Sequence, residues 1–392
     1  MIKKSTIAYF IFSIVLLFII SPWFFEKKLL FNELISIIGL LLFFYHGLKI
    51  GKNVISICVA LIFFWGIVHL ITSLFRLDNF YYYLRNLVIV YSIAAFFIGY
   101  HCLKYLGGFI GKIRQLLRVF IGFFLIVKGS GLIFERFGMA MLFPSIFKRA
   151  RETWVPYLLI LINIIYGITY DSSTAMVIAA FYILLFISPG YKFFKQVMIV
   201  ALLGITFLFI YLIPNLSLIS VNYSHYTYTG IRNVMKSNPI LMLDANSTWR
   251  LVLWKEIIVD NFPANIFGVG YGTPLLKYYP VEDYSKLASL PYILGAHNSF
   301  VYLFGRLGII YVLLIVPVYI KIFKEYFYYK TYYYSNNQIL LFWSFFASTM
   351  IALFNPALES PIYAAGYWML LGFVARAIHN RIYLPQNLSP AA

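Results

Sequence analysis

Ala296-His297-Asn298-Ser299-Phe300-Val301-Tyr302-Leu303-Phe304-Gly305-Arg306-Leu307-Gly308 marks the point where a long polar interval turns back into an apolar run. The interval before it, residues 214–296, carries Asn246-Ser247-Thr248-Trp249-Arg250-Leu251-Val252-Leu253-Trp254 and then Gly268-Val269-Gly270-Tyr271-Gly272. No other part of the chain stays polar over such a length. It combines an arginine on a helix-forming segment, glycine turns, and a histidine where the chain returns to an apolar span. Hung over apolar helices, such a loop reads as an active site at a membrane surface.

Outward from that junction the composition is that of a membrane protein. Apolar residues make up 62% and charged residues 11%, well outside the usage of soluble domains. Apolar runs of about 15–20 residues recur along most of the length, as a polytopic helical bundle requires. The first run, residues 6–20, follows Lys3 and Lys4 but has no small-x-small cleavage site before Pro22-Trp23-Phe24, so it reads as a span rather than a signal peptide. The net charge of +18 would point to nucleic acid in a soluble protein. Here the Lys and Arg residues gather in short interhelical loops, where they set topology and meet lipid phosphates. The expected partner is therefore the bilayer, not nucleic acid. Cys58 and Cys102 both fall inside apolar segments and can build neither a disulfide framework nor a metal site.

The apolar runs place spans near residues 6–20, 31–48, 54–74, 84–103, 117–134, 155–168, 175–187, 197–213, 300–319, 339–353 and 363–377. With a cytoplasmic N-terminus, eight spans before the polar interval would leave it inside. The basic clusters disagree: Lys148-Arg149-Ala150-Arg151, Lys192 with Lys195, Lys321 with Lys324 and Lys330, and Arg376 with Arg381 become cytoplasmic only if one more crossing precedes Lys148. Residues 137–147 are the candidate, short but apolar enough for a broken or re-entrant segment. The expected architecture is an all-α polytopic bundle of about 11–12 transmembrane helices with both termini inside and one large outer loop. It divides into an N-terminal transmembrane bundle (1–213), the outer loop (214–296), C-terminal transmembrane helices (297–380) and a cytoplasmic tail (381–392).

Within the loop, Asp244-Ala245-Asn246-Ser247 offers capping oxygens ahead of a helix from Thr248 to about Asp260, stopped by Pro263. Arg250 and Trp254 are four apart on it and share a face. A guanidinium forks two donors onto phosphate oxygens, so Arg250 suits a diphosphate near the headgroup layer; the same chemistry would anchor the loop to lipid phosphates. His297 titrates near neutrality and can accept a proton from a sugar hydroxyl or hydrogen-bond to it, or it can serve as an interfacial cap. Residues 268–272 form a tight turn beside a ligand or a plain linker; without a strand–turn–helix context they are no dinucleotide fingerprint. Arg306, flanked by Gly305 and Gly308, is a cation inside a span and so a functional suspect. Lys128 interrupts another span, and Arg76, Arg85 and Arg232 should reach the outer face. Tyr326-Phe327-Tyr328-Tyr329 and Tyr332-Tyr333-Tyr334 look like interfacial belt residues. The carboxylates Asp244, Glu256, Asp260, Glu282, Asp283 and Glu359 lack the close pairing of a metal site or a glycosidase pair.

A long outer loop, Arg250-x-x-x-Trp254, a Gly-x-Gly-x-Gly turn, His297-Asn298-Ser299-Phe300 entering a span, and Gly305-Arg306-Leu307-Gly308 come in that order. This order resembles the O-antigen ligase and O-antigen polymerase superfamily, over roughly residues 155–377 in topology. The resemblance implies a GT-C-like membrane glycosyltransferase that moves a glycan from a polyprenyl diphosphate carrier outside the cytoplasmic membrane, with neither metal nor other cofactor. It implies Arg250 on the diphosphate and His297 on the acceptor hydroxyl or leaving group as the catalytic pair. Trp254, Asn298, Gly268, Gly270, Tyr271 and Gly272 would line the substrate. One departure stands out. Where many relatives carry an arginine at the outer start of a mid-chain span, this chain reads Asp171-Ser172-Ser173-Thr174-Ala175. The second phosphate contact then falls to Arg232, Arg306, Arg76 or Arg85, or to neutral hydrogen bonds from Ser172, Ser173 and Thr174.

The expected activity is polymerisation of undecaprenyl diphosphate-linked repeat units into O-antigen or capsule, at the periplasmic face of a bacterial inner membrane. The donor is a growing lipid-linked glycan, the acceptor a lipid-linked repeat unit, and a chain-length regulator protein is a further expected partner. Ligation of finished O-antigen to lipid A-core is the sister activity. A transporter or lipid-linked oligosaccharide flippase belongs to a different class and predicts paired half-repeats with matching broken helices. No such symmetry is visible in the sequence.

Overall fold

The computed structural model describes residues 4–20, 30–46, 53–78, 80–106, 108–109, 112, 160–161, 163–165, 167–168, 176–180, 183, 196, 250, 253–261, 263, 266–275, 296–334 and 336–383. Among these the chain is helical, with no strand. The helices are α1 (Lys4–Ile20), α2 (Leu30–His46), α3 (Val54–Leu74), α4 (Phe80–Asn86), α5 (Val88–Ile93), α6 (Ser299–Tyr333), α7 (Asn336–Phe354) and α8 (Pro361–Tyr383). Of the expected spans, 117–134 and 197–213 lie wholly outside the described residues, as do about half of 155–168 and of 175–187 and all of the extra crossing at 137–147.

Three helical stretches among the described residues are long and apolar enough to cross a membrane: Val54–Leu74, Tyr83–Leu106 and Ser299–Tyr328. Their outward faces identify the solvent they are built for. On α3 the exposed side chains include Val54, Ile57, Leu61, Phe64, Val68, Ile71 and Leu74; on α6 they include Ile309, Leu313, Val316 and Ile320. These recur three or four apart, so each is one continuous helical face, and it is apolar where a water-facing helix would be charged. The chain is a helical membrane protein.

Lipid supplies no hydrophobic drive between helices, so close backbone approach has to hold them together. At Gly99 a Cβ would collide with the carbonyl of Met369 on α8, and at Gly372 on α8 with the carbonyl of Phe96. The two glycines let α8 sit directly on the span Tyr83–Leu106. α3 and α6 form the other main pairing.

The feature that positions the site is a break in α6. Gly308 has φ 71° and ψ −163°, a region open essentially to glycine alone. The turn frees backbone groups at membrane depth, where each must find a partner inside the protein. Residues 266–270 supply most of them. Val269 N donates to Gly305 O at 2.9 Å, Gly270 N to Arg306 O at 3.1 Å, and Ile309 N to Ile266 O at 2.7 Å. The Trp65 indole donates to Leu307 O at 2.7 Å. The glycine-rich stretch is thus an extended plug laid against a broken helix. A side chain at Gly268 (φ 88°) would meet the Arg306 carbonyl.

The C-terminal half of α6 departs from the interfacial-belt expectation. The helix runs on past the apolar segment to Tyr333, and its aromatics pack against α7. Tyr326 and Phe327 are buried, the Trp343 indole donates to the Tyr326 hydroxyl at 2.7 Å, and Tyr328 stands exposed. Tyr334 donates to Glu325 Oε2 at 2.9 Å. Glu325 also takes Arg381 Nε and Nη2, each at 2.7 Å, and Lys321 Nζ at 2.9 Å. Arg381, part of the basic pattern of the sequence, therefore ties α8 to α6.

Candidate functional site

The candidate site gathers where the polar interval meets the start of α6. Asn298 caps that helix: its Oδ1 accepts from Phe300 N at 2.9 Å and Val301 N at 3.1 Å. The N-terminal donors of the helix are thereby satisfied by the residue next to His297. His297 itself has φ 51°, the left-handed region that non-glycine residues adopt rarely. The turn points the chain out of the cap and sets the imidazole in a half-buried position.

Arg250 and Trp254 come from the other end of the loop. Residues 250 and 253–255 are helical and the turn Glu256–Asp260 is a π-helix, closed by Asn261 N on Glu256 O at 3.0 Å. The Trp254 indole donates to Ala296 O at 2.7 Å, the carbonyl that precedes His297. That one bond, spanning 42 residues, pins the arginine helix to the histidine turn. Arg250 lies close enough for its charge to act on the imidazole. Burial first, and the Arg250 charge second, hold the His297 pKa down to about 4. At neutral pH this histidine is uncharged.

The other expected site residues are placed differently. Arg306 is wholly buried, and its Nη1 and Nη2 are turned to groups of the protein itself. Nη1 bonds the carbonyls of Gly270, at 2.8 Å, and Thr273; Nη2 bonds the Tyr302 hydroxyl at 3.3 Å. The guanidinium also lies 5.1 Å from the Tyr302 ring centroid. Arg306, one of several candidates for a second phosphate contact, thus caps the glycine plug from within. Asn298 spends its side-chain oxygen on the α6 cap. Gly268 and Gly270 (φ 77°) serve the plug's close approach to α6 and α3, and Gly272 packs against Leu77. Tyr271 is fully buried, with its N–H on Ser73 Oγ at 2.8 Å and its carbonyl taking Asn86 Nδ2 at 2.9 Å. Ser172, Ser173, Thr174 and Arg232 lie outside the described residues, as does Lys128. Arg76 and Arg85 are exposed, beside the plug and on α4 respectively.

Several residues that hold the site together were not singled out by sequence reasoning. Trp65, His69 and Ser73 lie four apart on α3. All three meet the plug region: Trp65 bonds Leu307, Ser73 bonds Tyr271, and His69 hydrogen-bonds the backbone of Phe267. Their spacing is a polar stripe inside an apolar span, a signal the sequence does carry. Asn86 joins Tyr271 and the Tyr302 hydroxyl. Glu359, noted in the sequence only as an unpaired carboxylate, lies in the turn between α7 and α8. Burial pushes its pKa up to about 8 against the opposing charges of Arg85 and Arg306. Among the described residues no group of three or more His, Cys, Asp or Glu is placed to hold a metal ion.

Comparison of the chain with protein-family models, with curated proteins and with solved structures found no match.

Proposed function

We propose that the chain is a GT-C-like membrane glycosyltransferase that polymerises undecaprenyl diphosphate-linked oligosaccharide repeat units at the periplasmic face of a bacterial inner membrane. The observation that carries this reading is the Trp254–Ala296 bond, which sets a permanently charged guanidinium beside a neutral imidazole at the return to the membrane. Arg250 supplies a fork for diphosphate oxygens, and its charge grows in value as the leaving group takes up negative charge. His297, uncharged, hydrogen-bonds the acceptor hydroxyl or a donor sugar and orients it. In the transfer, the acceptor oxygen bonds the anomeric carbon from the side opposite the diphosphate. The carbon–oxygen bond to diphosphate breaks, and the diphosphate leaves with the electron pair. The configuration at that carbon inverts. The leaving group is already good, so positioning and charge stabilisation are the protein's main tasks.

The test is reconstitution of the full chain in proteoliposomes with purified lipid-linked repeat units. Laddered products support polymerisation. A single transfer to lipid A-core would replace it with ligation, and movement of the lipid-linked glycan without bond formation would replace it with transport. Transfer is expected to survive EDTA, because Arg250 rather than a divalent ion meets the phosphate charge. Arg250→Lys keeps the charge but loses the fork, so a loss of about 10²-fold or more is expected. Near-normal transfer by both Arg250→Ala and His297→Ala would remove the basis of the reading.

A further inference from the structure

The turn at residues 355–360 is sewn to the start of α6. Ser299 Oγ donates to Asn355 O at 3.0 Å and accepts from Leu358 N at 2.9 Å, and Ala357 N closes on Asn355 O at 2.8 Å. Ser299 is two residues from His297, and Leu358 is next to Glu359. The imidazole and the carboxyl therefore hang on opposite strands of one hydrogen-bonded knot. Glu359 Oε1 is closed off from solvent and has no hydrogen-bond partner. Arg85 from α4 and Arg306 from α6 face it as charges, yet neither donates to that oxygen. The turn itself, Asn355-Pro356-Ala357-Leu358-Glu359-Ser360, holds no other titratable side chain. A buried carboxyl oxygen left without a donor is unfavourable unless a ligand supplies one. A sugar hydroxyl is a donor of the required kind.

We propose that Glu359 is a further catalytic residue, whose Oε1 takes the hydrogen bond and then the proton of the acceptor sugar hydroxyl during glycosyl transfer. The assignment rests on the glycan-transfer reading above and completes its proton balance. The hydroxyl O–H bond breaks and its proton passes to the Glu359 carboxylate. The oxygen's electron pair forms the new glycosidic bond, and the diphosphate departs with the pair of the bond it loses. The carboxylic acid returns its proton to water once the product has left. His297 is left with orientation rather than proton transfer, since a neutral imidazole whose conjugate acid titrates near 4 is a weak base. A carboxyl that titrates near 8 is matched to neutral pH, and its ionised fraction rises with pH.

Two measurements on the full chain in proteoliposomes test this. In the first, initial rates with purified lipid-linked repeat units are followed from about pH 6 to about pH 9.5. The wild-type rate is expected to rise through a group near 8. Glu359→Gln, which keeps the shape, should lose about 10²–10³-fold together with that pH limb. Glu359→Asp should restore the limb at a reduced rate, which a merely structural role would not do. In the second, a hydrophobic carbodiimide, which attacks protonated buried carboxyls, is followed by peptide mass spectrometry without any substrate. Labelling of Glu359 is expected below neutral pH and should fall as pH is raised through about 8. Transfer by Glu359→Gln within about threefold of wild type, with an unchanged pH limb, overturns the assignment of Glu359 alone. An unlabelled Glu359 below neutral pH overturns it too. Persistent labelling of Glu359 in a wild-type chain that forms no glycosidic bond overturns the glycan-transfer reading and the proton-acceptor role with it.

Discussion

At the scale of the residue, His297 concentrates the local physics of the site. It holds φ 51°, follows the carbonyl tied to Trp254, and sits under the influence of Arg250. Backbone strain of this kind persists only where surrounding contacts determine it; here those contacts are the Asn298 cap on one side and the Trp254–Ala296 bond on the other. The pKa makes a direct prediction. The imidazole is expected to titrate near 4, below its ordinary value of about 6.5. On acidification the unfolded chain takes this proton first, so through His297 acid lowers stability across the window between those two values. Arg250→Gln removes the second cause but not burial, the larger one. Its imidazole should titrate higher than in the wild type yet short of the ordinary value. NMR of histidine-labelled protein in nanodiscs, with His297→Gln to assign the signal among the six histidines, checks both positions. A resonance titrating at the ordinary value in the wild type would contradict the arrangement.

At the scale of the element, the decisive object is the broken helix α6 with its plug. The break leaves groups that residues 266–270 and Trp65 satisfy, and Arg306 fastens the plug from the α6 side by its own side chain. Gly308→Ala would force a Cβ into the Ile266 carbonyl and the Phe267 backbone in a conformation closed to alanine. A loss of more than about 2 kcal/mol is expected, read as a lowered unfolding temperature in detergent. Gly66→Ala is the control. Its Cβ meets the Tyr271 hydroxyl at 3.3 Å, the end of a side chain rather than backbone, and a loss below about 1 kcal/mol is expected. Equal losses in the two variants would mean that the break is not what holds the plug.

At the scale of the whole molecule, the apolar outward stripes of α3 and α6 put the protein in a bilayer, and topology is the property that most needs measurement. The charge pattern predicts residues 214–296 outside and both termini inside. In a chain with Cys58 and Cys102 replaced, Ser285→Cys should react with an impermeant maleimide in intact spheroplasts. Reaction only after permeabilisation would return the loop to the cytoplasm and remove the crossing at 137–147. An outer loop is also what the proposed reaction requires, because its lipid-linked substrates would be joined on that face.

The class, the helices among the described residues and the junction were legible in local pattern. Apolar runs at 6–20, 31–48, 54–74, 84–103, 300–319, 339–353 and 363–377 correspond to α1, α2, α3, the span Tyr83–Leu106, α6, α7 and α8. The reason is that a helix in lipid must be apolar along its length, and that requirement is local. The pairing of Arg250 and Trp254 on one helix, and the start of α6 at Ser299, were local too. Tertiary structure alone decided what Arg306, Tyr271 and Glu359 do. Their partners are Gly270 at a separation of 36 residues, Ser73 at 198, and a turn held to Ser299 through Leu358 at 59. Where α6 breaks, unpaired backbone groups must be satisfied by whatever the fold brings beside them. No spacing along the chain records which segment that will be.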